Sequence, residues 1–279
     1  MNTIYFDATA SDDERRQRLY DGQIFVYSPR PGSRALCQLV RGLIESELGT
    51  IDPKLAESHL SAEDYLAVDA KVKQLFRDRP ETQTLVQSLL ADLGCDLDKT
   101  YFEIPQVRMV PQKGYLPGGE GLVHDPHRDT WYAAPMCQIN WWIPVYEFES
   151  ESAMAFHPHY WKQPVKNSSS QFNDLKTDLR ELPDLEAIEI EPEIRVVCPV
   201  GGVILFSGAQ MHSAVPNTSG YSRYSLDMRT VHHDEIVSNG GAANIDSYST
   251  TALLKDFLNG AALKPLPEDI IAQQRKVCV

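Results

Sequence analysis

Nowhere in the chain do about 18 apolar residues run together, so no stretch reads as a membrane-crossing helix. Basic clusters are missing too. Lys and Arg total 26 against 39 Asp and Glu, a formal net charge of −13. An anionic chain with no basic run repels phosphate backbones and anionic lipid surfaces, so neither nucleic acid nor a membrane is the expected partner. Cysteine is sparse: Cys37, Cys95, Cys137, Cys198 and Cys278 lie far apart and form no CxxC pair. That spacing excludes both a zinc-knuckle and a disulfide-framework reading. The opening MNTIYFDATASDDERRQ is polar and acidic where a secretory leader is basic and then apolar. Together these features lead us to expect a reduced, cytoplasmic protein. Repeats, low-complexity blocks and Pro/Gly/Ser-rich linkers are also lacking, which favours one domain over residues 1–279.

What is present is enough apolar material for a sizeable core, 42% of 279 residues. The pattern divides in three. Residues 1–99 read as mainly helical support. After the strand QIFVY (23–27), apolar residues at Leu36, Leu39, Val40, Leu43, Ile44 and Leu48 keep helical spacing. A second helix starts at Ser61, in capping register with Asp64, and a third spans about 81–93 before Gly94. From 100 to 231 the texture turns to short β-rich runs bounded by Pro and Gly: 101–110, 136–146, 194–200, 202–206 and 222–231. Such a series favours a sandwich, jelly roll or barrel. Residues 157–193 form a polar insertion, read either as a surface loop or as a lid. Residues 232–279 read as a C-terminal extension that packs on the barrel or mediates a dimer.

The chemistry centres on three residues. His127 and Asp129 lie two apart on an extended segment and project to one side; His212 follows 85 residues later. Two imidazoles and a carboxylate suit one face of a non-haem Fe(II) site, with the opposite positions open. Arg223 and Ser225 share a face of the next strand, and an Arg fork beside a hydroxyl makes a seat for a carboxylate. Rival readings are weaker. They are an Asp125–His127 pair, the His157/His159 HxH, the second HxD at His232–Asp234, and Arg229 as the carboxylate partner.

Strict alternation on 136–146 puts Gln138, Asn140 and Trp142 on one side and Cys137, Ile139 and Trp141 on the other. Buried amides need partners, which makes Gln138 and Asn140 candidates for a polar cofactor or substrate. Gln106 and Arg108 are similar candidates. Trp131 and Tyr132, beside the HxD pair, are either barrel core or a substrate wall. Trp142 and His157 complete the candidate substrate pocket.

HRDTWY (127–132), NWWIPVYEFESESAMAFHPHYW (140–161) and GGVILFSGAQMHSAVPNTSGYSRYSLDMR (201–229) resemble the Fe(II)/2-oxoglutarate-dependent dioxygenases, and within them the phytanoyl-CoA dioxygenase-like branch. The resemblance spans roughly residues 100–231. Phe156-His157-Pro158-His159 stands where that branch usually carries a Pro-Gly-Ser-His turn. The resemblance implies a double-stranded β-helix (a cupin-like jelly roll) mainly of β structure, with an N-terminal helical layer. It implies His127, Asp129 and His212 as iron ligands, and Arg223, aided by Ser225, as the seat of the 2-oxoglutarate C5 carboxylate. It also implies Fe(II), 2-oxoglutarate and O2 as cofactors, and oxidation of a small molecule with release of succinate and CO2. Hydroxylation is the default outcome; desaturation, ring formation and C–N cleavage would use the same residues. Asp129 argues against halogenation, which needs that ligand position for chloride. The alternatives are a catalytically silent jelly-roll binding protein and a protein side-chain hydroxylase.

Overall fold

The computed structural model describes residues 3–116, 125–167, 169–171, 192–249 and 252–277. The chain opens with strand β1 (Ile4–Phe6), helix α1 (Asp12–Tyr20) and strand β2 (Ile24–Tyr27). Helix α1 escapes the apolar-stripe reading because DDERRQRLY has few apolar residues; its start is set by a Ser11–Glu14 capping box. Helices α2 (Pro31–Leu48), α3 (Ala56–His59), α4 (Ala62–Arg77) and α5 (Pro80–Asp92) follow. Three of these match the periodicity, and Pro at the first turn starts two of them.

The β-rich region supplies β3 (Thr100–Phe102), β4 (Gln106–Val110), β5 (Ile139–Pro144), β6 (Met154–Phe156), β7 (Ile194–Val196), β8 (Val203–Ser207), β9 (His212–Ala214) and β10 (Arg223–His232). The expected single run 101–110 is two strands, broken around Pro105, which lacks the N–H a ladder needs. The C-terminal extension carries regular elements. It contains α6 (His233–Ser238), α7 (Glu268–Val277) and β11 (Leu258–Asn259), the last paired with β3.

Eight strands form one sheet in the order β1-β2-β8-β5-β10-β3-β11, with β4 also on β10. The first 99 residues therefore do more than support the sheet from outside: β1 and β2 extend it past β8. A three-stranded sheet, β7-β6-β9, faces the larger one, and His127 adds a bridge to His212 at its edge. This two-layer arrangement is the expected jelly roll.

Each strand of the larger sheet has an outer and an inner face. Cys137, Ile139 and Trp141 sit in the core shared with the helices, alongside Leu36, Val40, Val86 and Leu89. Trp142 faces inward, with Met154, Phe156, Ile204 and Phe206. The alternation read from the sequence holds. Of the 157–193 insertion, residues 168 and 172–191 lie outside the described residues, as do His124 and Cys278, so the lid reading falls largely there. Among the described residues, no helix is long and apolar enough to cross a membrane.

Candidate active site

Paired backbone bonds set the two histidines side by side. His127 N donates to His212 O and His212 N to His127 O, each at 2.9 Å, and the imidazole centroids are 4.4 Å apart. Each ring then has its Nδ1 against a backbone carbonyl: His127 to Asp125 O at 2.7 Å, His212 to Gln210 O at 2.8 Å. A carbonyl only accepts, so both Nδ1 atoms carry a proton, and Nε2 is the ring atom that each imidazole turns inward.

Both Nε2 atoms converge on Asp129 Oδ1, at 3.4 Å from His127 and 3.6 Å from His212. One ligand atom from each of the three residues lies within 4.8 Å of the others. Three side chains brought this close could hold a cation between them, and two imidazoles with one carboxylate suit a first-row transition metal. The residues present fit Fe(II).

The other carboxylate oxygen is held from behind. Asp129 Oδ2 accepts from Gln138 Nε2 at 2.8 Å and Asn140 Nδ2 at 2.7 Å, and Gln138 Nε2 also donates to Asn140 Oδ1. Gln138 and Asn140, candidates for cofactor contact, are thus engaged with Asp129. Burial raises the cost of the Asp129 charge. The His127 hydrogen bond and the nearby Arg229 and His212 outweigh it and hold the carboxyl well below its ordinary range. Gly208 makes this packing possible: a Cβ there would stand 3.2 Å from Gln138 Nε2 and 3.5 Å from Asp129 Cβ.

The inner face of β10 carries Arg223, Ser225, Asp227 and Arg229. Arg108 Nε lies 2.9 Å from Asp227, and Arg229 lies 3.2 Å from Glu103 and 3.6 Å from Asp129. Arg229, the rival for the cofactor carboxylate, is already committed to two carboxylates. Arg223 differs. It is 6% exposed, its Nη1 donates to Ser225 Oγ at 3.2 Å, and its Nε has no hydrogen-bond partner. Burial pulls its pKa down to about 10 against the pull of Asp227. A buried guanidinium lacking an ion-pair partner among the described residues fits an incoming carboxylate.

A family model for phytanoyl-CoA dioxygenase (PhyH) matches residues 34–225, more than half of the chain. The chain belongs to the phytanoyl-CoA dioxygenase family. It is an Fe(II)/2-oxoglutarate-dependent dioxygenase, with Fe(II), 2-oxoglutarate and O2 as its cofactors. Among solved structures, it is similar to EvdO2 from Micromonospora carbonacea var. aurantiaca complexed with 2-oxoglutarate, at 14% identity and TM-score 0.47 over 81% of this chain and 93% of that one. It is also similar to SnoK, a non-heme alpha ketoglutarate dependent carbocyclase from nogalamycin biosynthesis (14%, TM-score 0.46, 81% and 87% covered). A third is the epimerase SnoN in complex with Fe3+, alpha ketoglutarate and nogalamycin RO (14%, TM-score 0.41, 79% and 85% covered). At such identities the likeness bears on the fold alone. No curated protein matches the sequence.

The remaining candidates of this family member divide. Tyr132 is half-buried with its ring 5.6 Å from that of His127, and burial beside Asp129 pushes its hydroxyl up to about 12. Trp142 lies inside the barrel, its ring 5.5 Å from the Arg223 guanidinium. Gln106 and Arg108 share the inner face with Asp227, opposite β10 in register. Trp131, by contrast, is 1% exposed, packs on Val165 and Met211, and donates from Nε1 to Asp246 Oδ1 at 2.7 Å. It has no surface to offer a substrate. His157 is buried with Nε2 3.3 Å from Ser213 Oγ, and burial lowers its pKa. It lies behind β9 because Ser213 points opposite to His212 along the strand.

Asp246 is the residue the sequence reading missed. It sits in an extension with no motif, and its partners are more than 80 positions away.

Proposed function

We propose that His127, Asp129 and His212 bind the iron, and that Arg223 with Ser225 seats the C5 carboxylate of 2-oxoglutarate. The supporting observation is that the fold brings together His127, Asp129 and His212 and also buries Arg223, which has no ion-pair partner among the described residues. When bound, the iron and 2-oxoglutarate supply the oxidising chemistry, which consumes O2 and releases succinate and CO2. The protein's own residues do the rest. The two backbone carbonyls hold the imidazoles as neutral ligands, and Gln138 and Asn140 fix Asp129 so that one oxygen faces the metal.

Charge counting bears on the substrate. Arg108–Asp227 and Arg229–Glu103 are neutral pairs. Fe(II) with Asp129 leaves one positive charge, Arg223 adds a second, and the dianion 2-oxoglutarate cancels both. The loaded site therefore needs no further charge, and its wall of Gln106, Arg108, Asp227, Arg229 and Tyr132 offers donors and acceptors. This wall suits an uncharged, polar, hydroxyl- or carbonyl-bearing small molecule, oxidised in the first instance by hydroxylation.

The test is anaerobic titration of Fe(II)-loaded protein with 2-oxoglutarate, following the weak visible charge-transfer band. Wild type is expected to develop the band. Arg223→Ala should raise the concentration of 2-oxoglutarate needed by roughly 10–100-fold, as expected for a lost charged pair, and Asp129→Ala should abolish the band. Wild-type protein that holds iron but gives no band would return the silent binding protein to first place.

A further inference from the structure

We propose that residues 242–249 and 252–253 of the C-terminal extension brace the metal-binding loop, with Asp246 and Arg128 as its positioning pair. The proposal rests on the ligand assignment above and concerns what sets that geometry.

Arg128 stands between ligands His127 and Asp129 in the sequence, yet it turns away from them and is 2% exposed. Its planar fork reaches acceptors in three other segments. Nε lies 3.2 Å from the Asp246 carboxylate, Nη1 donates to Ala209 O at 2.6 Å, and Nη2 donates to Tyr160 O at 2.5 Å and Gln163 O at 3.1 Å. Ala209 lies three residues before His212, so one guanidinium ties the loops of two ligands together. Lysine, with one nitrogen, cannot span these acceptors.

Asp246 is the counterpart, 4% exposed. Besides Arg128 it takes the indole N–H of Trp131 at 2.7 Å and the backbone N–H of Val165 at 2.9 Å. Residues 128 and 131, on either side of Asp129, therefore hang on one carboxylate. The extension holds the same loop at three further points. Ser247 Oγ donates to Thr130 O at 2.5 Å, Leu253 N to Ala133 O at 2.9 Å and Ala242 N to Met136 O at 2.9 Å. Gly241 lets the two strands of chain approach. Its φ is +114°, and a Cβ would come 2.4 Å from the backbone of Met136 and Cys137.

A buried ion pair is a poor source of net stability, because desolvation offsets the attraction. What this pair supplies is direction: it fixes the backbone on both sides of a ligand whose carboxylate must face two imidazoles. Hydrogen-bonded supports of this kind commonly alter metal affinity by about 10–100-fold.

The test uses Co(II) as the probe, reading its dissociation constant and its visible d–d spectrum, with thermal stability measured alongside. Asp246→Asn keeps the shape and removes the charge. It is expected to weaken Co(II) binding by about 10–100-fold and to shift the d–d band. Leu89→Ala, in the helical layer, serves as the stability control: it should lower the melting temperature and leave both readouts unchanged. Should Asp246→Asn fail to fold, Trp131→Phe and Ser247→Ala each remove one tie, with about three- to tenfold weaker binding expected from each. Wild-type affinity and an unmoved d–d band in the folded variants would overturn the brace while leaving the ligands in place. Wild-type protein that takes up no Co(II) would overturn the ligand assignment and the brace with it.

Discussion

The two faces of β10 have opposite characters. Inward, Arg223, Ser225, Asp227 and Arg229 present charge and hydroxyl to the barrel; outward, Tyr224, Leu226 and Met228 are nearly fully buried against the helical layer. Every second residue along one strand thus belongs to chemistry and the others to packing. The outer face tolerates no void, because its cost is counted in lost contacts. The inner face tolerates open charge, which on the proposed assignment the cofactors complete.

Substitutions on either side should separate the two properties. The largest effect is expected on the outer face: Leu226→Ala should cost about 2–5 kcal/mol of stability in denaturant unfolding, with metal affinity at low temperature unchanged. Coupled loss of both would show that the faces are not independent. Next comes Asn140→Ala, which removes one of two amides from Asp129 Oδ2. We expect about tenfold weaker Co(II) binding, measured by competition with a chelating dye, and little change in melting temperature. The smallest is Ser225→Ala. It withdraws the hydroxyl that accepts from Arg223, and 2-oxoglutarate affinity in the charge-transfer titration should fall about three- to fivefold.

The same contrast accounts for what the sequence made legible. Strand β10 was readable because alternation of period two survives in SRYSLDMR, and His127, Asp129, His212 and Arg223 were readable because spacing carries their chemistry. Gln138 and Asn140 were visible as amides on a buried strand, but not their partner: Asp129 reaches them by a turn of the chain that no periodicity encodes. Helix α1 has too few apolar residues to announce itself, since Arg15 and Arg16 occupy its buried side. Strands β6 and β9, three residues each, are too short to show a pattern. Trp131 was open to a core or a substrate-wall reading from its neighbours in sequence; its neighbours in space, Val165, Met211 and Asp246, favour the core. Local patterns report which face a residue takes; they are silent on which distant segment meets it.

The distance along the chain between Arg128 and Asp246, 118 positions, bears on biosynthesis. During translation the last jelly-roll strand ends at His232, before Asp246 has left the ribosome. The barrel can close while Arg128 still lacks its carboxylate and the loop between His127 and β5 lacks its ties. The loop proposed to bind the metal can therefore be completed after the barrel that surrounds it. A gene truncated shortly after β10 would yield the strands of the barrel with all three proposed ligands and an unfinished grip on the loop that carries Asp129.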